Sequence, residues 1–308
     1  MKVEVLEALA KAPVGGPELA DLLGVSRAAV HKAITGLRAE GLTIEAGSGG
    51  YQLADAGAGY GPATLSWWCR REVVFLPSCA STNAEAFRLA GEGAADGTLV
   101  VAGEQTAGRG RLQRPWHSPP EASVAMSLIL RPELPPADAA LVCLAAAVGV
   151  AEVVRGRGAP LGLKWPNDLV DRAGGKYAGL LAEVRAEVDR LHFVVLGLGV
   201  NVGPMTFPDD LPHARCLHDH LGVVSRAELV AELTGAIEAR VVQLQRDREG
   251  LLQAWRDMSF TLGRPVRAAR VEGIAIDLRH DGALLVDTGL AGVVPVLAGD
   301  VEVVASRA

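Results

Sequence analysis

Residues 17–53 read PELADLLGVSRAAVHKAITGLRAEGLTIEAGSGGYQL. Their turn formers and apolar spacing decide how the amino-terminal part folds. Pro17 suits the first turn of a helix, where a missing N–H costs nothing. Gly24-Val25-Ser26 makes a turn, and the Ser26 hydroxyl can cap the helix that follows. Val30, Ile34 and Leu37 recur at i, i+4 and i+7 as one buried stripe. Gly41 ends that helix. Its outer side carries Arg27, Ala28, His31, Lys32 and Thr35. Leu42–Glu45, Gly47–Gly50 and Tyr51–Leu53 then read as strand, turn and strand. A helix, a tight turn, a second helix with a polar-basic face and a hairpin form the pattern of a winged helix-turn-helix.

Docking in a DNA groove needs cations for phosphates and short polar side chains for base edges. Ser26, Arg27, Ala28, His31, Lys32 and Thr35 are the candidates. The module as a whole is not basic: residues 1–53 hold five Lys or Arg against six Asp or Glu. The turn of the wing has no Lys or Arg, so its hold on phosphate is expected to be weak or made by backbone. A small helical module for protein contacts is the alternative.

The chain has 308 residues, enough for two or three domains, and a net charge of −6. That charge argues against non-specific coating of nucleic acid but leaves room for a local basic patch. With 49% hydrophobic residues a sizeable core is expected. Cys69, Cys79, Cys143 and Cys216 are scattered, which fits neither a disulfide framework nor a zinc ribbon. The first residues, MKVEVLEALAKAP, lack the apolar core of a signal peptide. The most apolar run, Ala139–Val154, is broken by Cys143, Gly149 and Glu152 and is expected to fall short of a membrane span. These features predict a cytoplasmic protein with no membrane partner.

Ala56–Pro62, AGAGYGP, reads as a linker. Beyond it, Ser123–Leu130 and Phe193–Val202 read as buried strands, and Ala137–Arg155 as a helix against a sheet. Ser225-Arg-Ala-Glu228 is a capping box that opens a helix to about Arg248, followed by another to Met258. Pro265–Arg270, Gly273–Arg279, Ala283–Asp287, Gly292–Val296 and Val301–Val304 are strand-sized, with turns at Asp281-Gly282 and Thr288-Gly289. Five short strands in so few residues predict a small barrel. The fold class expected is α+β.

Several stretches carry chemistry. Gly103–Trp116, GEQTAGRGRLQRPW, sets Arg109, Arg111 and Arg114 among glycines. Gly108 and Gly110 let backbone approach a ligand, and the guanidinium forks suit carboxylate or phosphate. It is neither a P-loop nor a dinucleotide fingerprint, and by spacing alone a solvated basic loop is equally open. Lys164–Asp168, KWPND, gathers polar groups around a rigid Pro, or is an ordinary turn. Lys176 precedes the apolar run Leu180-Leu-Ala and can reach into a cleft, or is a strand-end lysine. Asn201 closes a glycine-bearing strand. Ser81-Thr82-Asn83 precedes a helix-like segment, Ala84–Ala90; all three are capping types, and helix-start amides also bind polar groups. His213, Cys216, His218 and His220 fit no zinc spacing, so no metal site is expected there.

The set STN, EQTAGRGR with Arg114 and Trp116, KWPND, GK-Y-AGLLAEV at Gly175–Val184 and GLGVNV at Gly197–Val202 resembles the bacterial biotin–protein ligases in order and rough spacing. With GVSRAAVHK at 24–32 before it and short strands after it, the layout resembles the bifunctional ligase/repressors over nearly the whole chain. The resemblance implies a winged helix-turn-helix domain (1–60), a central mixed-sheet, class II synthetase-like ligase domain (65–260) and an SH3-like barrel (262–308). It implies ATP-dependent formation of biotinyl-5′-adenylate with Mg2+, then transfer to a lysine of a biotin carboxyl carrier domain. It also implies repression at operator DNA by a ligand-bound homodimer.

The same resemblance assigns Ser81, Thr82, Asn83 and Gln105 to biotin's polar ring. It assigns Gly108, Arg109, Gly110 and Arg111 to the carboxylate and adenylate phosphate, and Lys176 to their junction beside Gly179. Arg114 and Trp116 go to ATP, Asn201 near the nucleotide, and Asp168 near metal or the incoming lysine. Lys176, Arg111 and Asp168 form the expected catalytic set. Leu112-Gln113 departs from the more basic, glycine-bearing stretch common after GRGR, which leaves retention of the adenylate open. The segment from KWPND to Lys176 is also about one residue longer. A ligase with a vestigial DNA module, a lipoate ligase and a ligand-sensing transcription factor are the rival readings.

Overall fold

The side chain of Ser26 starts the second of two helices that meet across a left-handed glycine. In the computed structural model, α1 (Lys2–Leu9) and α2 (Gly16–Leu23) precede Gly24 at φ +64°. Ser26 Oγ then accepts from Ala29 N at 3.1 Å and opens α3 (Arg27–Ala39). Val30, Ala33, Ile34 and Leu37 of α3 pack on Val5, Leu6, Leu9 and Leu19. Strands β1 (Thr43–Gly47) and β2 (Gly50–Asp55) form the antiparallel hairpin expected of the wing. The described residues are 1–57, 59–268 and 270–304. Ala58 of the linker, Ala269 of the expected strand Pro265–Arg270 and residues 305–308 of the expected last domain lie outside them.

Helix α4 (Pro62–Cys69) leads into β3 (Val73–Leu76), α5 (Thr82–Gly91), β4 (Leu99–Ala102) and β5 (Ser123–Leu130). After α6 (Ala139–Gly156) come β6 (Gly162–Lys164), β7 (Asp168–Val170), β8 (Lys176–Ala186) and β9 (Leu191–Asn201). They form a seven-stranded sheet in the order β3-β4-β5-β9-β8-β7-β6, parallel only between β3 and β4. After the short α7 (His218–Leu221), α8 (Arg226–Arg246) and α9 (Arg248–Asp257) join α6 against one face. Those helices bury one face of β5, and α5 with the side chains at the cavity covers the other, so every residue of β5 is buried.

The other face is divided. Phe193 and Val195 of β9 and Ile129 of β5 pack under α5. Two and four residues further along β9 the same face presents Gly197 and Gly199. Gly199 pairs with Ala125 on one side and Gly179 on the other. Bulk ends where the glycines begin, and side chains from other elements rest directly on the strand backbone there.

The last strands, β10 (Pro265–Ala268), β11 (Val271–Leu278), β12 (Leu284–Asp287), β13 (Val293–Val296) and β14 (Val301–Val303), form an antiparallel sheet ordered β13-β12-β11-β10-β14. Its Asp281-Gly282 turn docks on the body: Trp165 Nε1 donates to Gly282 O at 3.0 Å, and a Cβ at Gly282 would strike Leu141 and Leu144 of α6.

Two expectations need correction. Residues Pro136–Gly156 are long and apolar enough to cross a membrane, contrary to the expectation for this run. Burial accounts for that composition: α6 lies between the sheet and α8, with Leu141, Val142, Ala145, Val148 and Ala151 fully covered. The capping box is half formed. Ser225 Oγ accepts from Glu228 N at 3.3 Å, but the Glu228 carboxylate turns to Arg157 at 3.1 Å, where a cation offers more than a backbone amide.

Candidate functional site

A cavity of about 500 Å³ opens at the glycine-bearing part of the sheet. Ser81, Thr82, Asn83, Gln105, Arg109, Gly110, Arg111, Arg114, Trp116, Asp168, Lys176, Gly179 and Asn201 all line it. Of the predicted ligand residues, only Gly108 lies off the wall. Its carbonyl accepts from Trp116 N at 2.9 Å, so it closes the base of the loop.

Over Gly197 sits a polar cluster. Thr82 N and Oγ1 donate to Gln105 Oε1 at 2.8 and 3.1 Å. The Ser127 hydroxyl lies 2.8 Å from Thr82 Oγ1 and 2.6 Å from Asn83 Oδ1; its one proton serves one of them at a time. Asn83 Nδ2 donates to Glu183 Oε2 at 2.8 Å. A Cβ at Gly197 would strike the Asn83 amide, which therefore rests on backbone. Ser81, Thr82 and Asn83 cap no helix end with their side chains, although all are capping types. Thr82 and Asn83 lie inside α5, and tertiary partners claim them instead. Ser127 was missed by sequence reasoning; its signal is a polar residue in the middle of a strand whose neighbours on both sides are apolar.

Over Gly199 lies the indole of Trp116. A Cβ at Gly199 would overlap the ring, and one at Gly179 would come within 3.2 Å of it. The cross-strand pair Gly179–Gly199 is thus a floor for a flat group. Trp116 Nε1 is buried without a hydrogen-bond partner among the described residues. Lys176 Nζ stands 5.5 Å from the ring centroid, within cation–π range. It also stands 2.6 Å from Asp168 Oδ1. That approach is not along a hydrogen-bond direction, and Asp168 Oδ1 has no other partner among the described residues. KWPND is the tight turn between β6 and β7, and its Trp165–Pro166 bond is cis.

The arginine loop folds over this floor. Gly110 N donates to Arg114 O at 2.8 Å, and Leu112 and Gln113 adopt φ of 54° and 59°. These are left-handed values unusual for side chains with a Cβ. Arg111 and Arg114 reach the turn after β13, at Gly299 O and Asp300. Asn201 is buried and donates through Nδ2 to Arg215 O at 2.9 Å. Its amide hydrogens hold the segment before α7, beside the cavity. His213 and Asp210 of that segment are further wall residues that sequence reasoning passed over as ligand groups.

Burial pushes the Cys69 thiol up to about 11 and that of Cys143, below Arg111 and Asp168, to about 12. It moves Cys79 and Cys216 the same way. All four cysteines are unpaired. A thiolate nucleophile at neutral pH is therefore not offered here. No cluster of three His, Cys, Asp or Glu that could hold a metal occurs among the described residues.

On the amino-terminal module, Ser26, Arg27, Ala28, His31, Lys32 and Thr35 are all exposed on one side of α3, as expected. Two of their polar groups are already committed. Ser26 caps α3, and Thr35 Oγ1 donates to His31 O at 2.9 Å.

A bifunctional ligase/repressor BirA of Bacillus subtilis is 34% identical over 305 residues, 94% of this chain and 93% of its own length. The chain belongs to the biotin–protein ligase family. The model of the biotin/lipoate A/B protein ligase family matches residues 76–201, and that of a helix-turn-helix domain residues 3–52. Within the ligase family, the biotin–[acetyl-CoA-carboxylase] ligase of Mycobacterium tuberculosis is 37% identical over 81% of this chain and 92% of its own. A biotin protein ligase from Aquifex aeolicus, solved with biotin and ATP, shares the fold at a TM-score of 0.63 and 24% identity. That likeness spans 76% of this chain and 99% of the other. The family match at 76–201 takes in STN, the arginine loop, KWPND, Lys176 and Asn201, the residues that the fold gathers at one cavity.

Proposed function

We propose that the protein activates biotin with MgATP and transfers it to a lysine of a biotin carboxyl carrier domain. One observation carries this reading: along β9 a hydrogen-bonding cluster at Gly197, its amides and hydroxyls uncharged, is followed within one residue pair by an indole, Lys176 and the arginine loop. That order suits a ligand with a polar uncharged ring at one end and a carboxylate at the other. A lipoate ligase has no use for the Thr82–Gln105–Ser127–Asn83 cluster.

In the first step a carboxylate oxygen attacks the α-phosphorus, an acyl–phosphate anhydride forms, and pyrophosphate leaves. Lys176, Arg109 and Arg111 bring the two anions together and offset the charge that grows on the phosphoryl oxygens. In the second step the acceptor amine attacks the acyl carbon and AMP leaves with the bonding pair. Trp116 and Arg114 are assigned to the nucleotide, and Asn201 to holding the adjacent wall. Magnesium, when bound with the triphosphate, lowers its charge. Asp168, with a buried oxygen lacking a hydrogen-bond partner, fits the single carboxylate that such an ion takes beside phosphate and water.

The proposed domains are 1–60, 65–260 and 262–308, the second synthetase-like and the third an SH3-like barrel. The exposed face of α3 supports a second activity, repression at operator DNA by a homodimer that forms with the adenylate bound. Four unpaired cysteines support a reducing, cytoplasmic setting.

The ligase test is direct. Incubation with biotin, MgATP and a carrier domain should add the mass of one biotin to the carrier; no mass gain rejects the reading. For repression, DNA affinity that does not rise with biotin and ATP removes the regulatory part.

A further inference from the structure

Two contacts tie the arginine loop to the carboxy-terminal sheet. Arg114 Nη2 lies 2.5 Å from Asp300 Oδ2, and Arg111 Nη2 donates to Gly299 O at 3.3 Å. Gly299 and Asp300 belong to the turn between β13 and β14. Asp300 faces the same cavity as Arg109, Arg111 and Lys176. Its Oδ2 is buried and, although Arg114 is close, no aligned hydrogen bond reaches it among the described residues. Most of the Arg114 side chain is exposed. The contact is therefore a charge pair of poor geometry, the kind that yields most easily to a better anion. The loop it restrains is held with Leu112 and Gln113 in left-handed conformations, which favours release once the restraint is gone.

We propose that Asp300 is an internal counter-ion that occupies Arg114 until a pyrophosphate or triphosphate group takes its place. The proposal rests on the cavity's being a nucleotide site. The charges set its sign. Asp300 carries one negative charge, while a pyrophosphate group carries more and offers several oxygens to the guanidinium fork. Asp300 must leave Arg114 before phosphate can take the guanidinium. Its presence thus weakens phosphate binding, and its exchange with phosphate uncouples the loop from the last sheet. A fixed anchor that merely holds the loop closed over ligand predicts the opposite sign, because its removal would weaken binding.

The experiment is calorimetric titration of the full-length protein with inorganic pyrophosphate at low, fixed ionic strength. It compares wild type, Asp300→Asn, Arg114→Ala and the double variant; Asp300→Ala serves as a second removal of the charge, and circular dichroism checks each fold. Asp300→Asn should bind pyrophosphate about two- to fivefold more tightly, the range of one exposed ion pair. The gain should vanish when Arg114 is already Ala. Unchanged or weaker binding by both Asp300 variants overturns the proposal, as does a gain that survives without Arg114. A protein that charges the carrier without this Asp300 effect sinks the proposal alone. One that shows the effect but charges nothing sinks the ligase reading alone.

Discussion

The carboxylate of Glu40, at the end of α3, accepts from the amide of Thr64 at 3.0 Å, in the first turn of α4. The same oxygen takes Ala63 N at 3.0 Å and the Thr64 hydroxyl at 3.1 Å, and the other oxygen takes Lys2 Nζ at 3.0 Å. One buried side chain thus caps the helix that leads into the ligase sheet and fixes α3 to it. Glu40→Ala leaves two helix-start amides without an acceptor. It should cost about 1–3 kcal/mol, read as a lower unfolding midpoint in urea. Glu40→Gln keeps an acceptor oxygen and should lose less. Equal stability of the Ala variant would count against a structural tie.

Gly199 and Trp116 test the floor of the cavity. Ala at Gly199 places a methyl group inside the indole's position, so either the ring or the strand must move. Since β9 is central and paired on both sides, the ring moves. Gly199→Ala should leave the far-ultraviolet circular dichroism unchanged, blue- or red-shift the tryptophan emission and cut biotin transfer at least about tenfold, the cost of even a small misplacement of reacting groups. Full transfer with unchanged emission would contradict the stacked geometry.

Lys176 and Asp168 are tested together. Lys176→Ala removes the cation proposed to act on the phosphoryl group and should slow adenylate formation by about 10²–10³-fold, the usual worth of one preorganised charge-stabilising donor. It also leaves Asp168 without its counter-ion. Because Asp168 is itself proposed to hold magnesium, adding Asp168→Asn should not restore pyrophosphate exchange to Lys176→Ala. Recovery in the double variant would count against the magnesium assignment.

The Arg279 guanidinium holds the Asp281 carboxyl down at about 2, with the Ala283 amide helping. Arg279 Nε donates to Asp281 Oδ1 at 2.9 Å. The folded state binds the Asp281 proton more weakly than the unfolded chain. Its contribution is therefore complete above the ordinary value of 3.8 and disappears as pH falls through about 2. This residue shapes the turn that docks on Trp165 and α6. Asp281→Asn should flatten the stability–pH curve between 3.8 and 2 and cost less than about 1 kcal/mol at neutral pH, because the pair is partly exposed. An unchanged acid slope would show that other carboxylates set it.

What the sequence reveals of this architecture divides by distance along the chain. The Ser26 cap, the α3 stripe, the strand–turn–strand of the wing and the Asp281-Gly282 turn are local, and each is found where the sequence puts it. The seven-stranded order is not local: β5 pairs with β9 across the intervening α6, β6, β7 and β8, which sets Gly199 beside Ala125, while the β8–β9 pairing sets it opposite Gly179. Ser127 looks like one more core residue until the sheet turns it toward Asn83. Asp300 lies far from Arg114 in sequence and in a segment that reads only as a turn. The length of α6 misleads for the same reason: composition reports how apolar the surroundings are, and a protein interior and a lipid bilayer look alike to it.

Arg38 and Lys32, both on α3, should behave differently toward DNA. Arg38 Nε donates to Ile44 O at 2.9 Å and ties the hairpin to α3, so its charge is spent on the fold. Lys32 has no such tie; it is exposed on the side shared by Arg27 and His31. If that side meets a duplex, Lys32→Ala should weaken binding about equally for different sequences and lower the slope of log K against log salt by about 1, one phosphate contact fewer. Arg38→Ala should lower the stability of the module and leave the salt slope of its folded fraction in place. Electrophoretic shifts at four salt concentrations, on a duplex selected by the full-length protein, measure both slopes. A steeper loss of slope for Arg38→Ala than for Lys32→Ala would move the DNA-facing surface from the outer side of α3 to the hairpin.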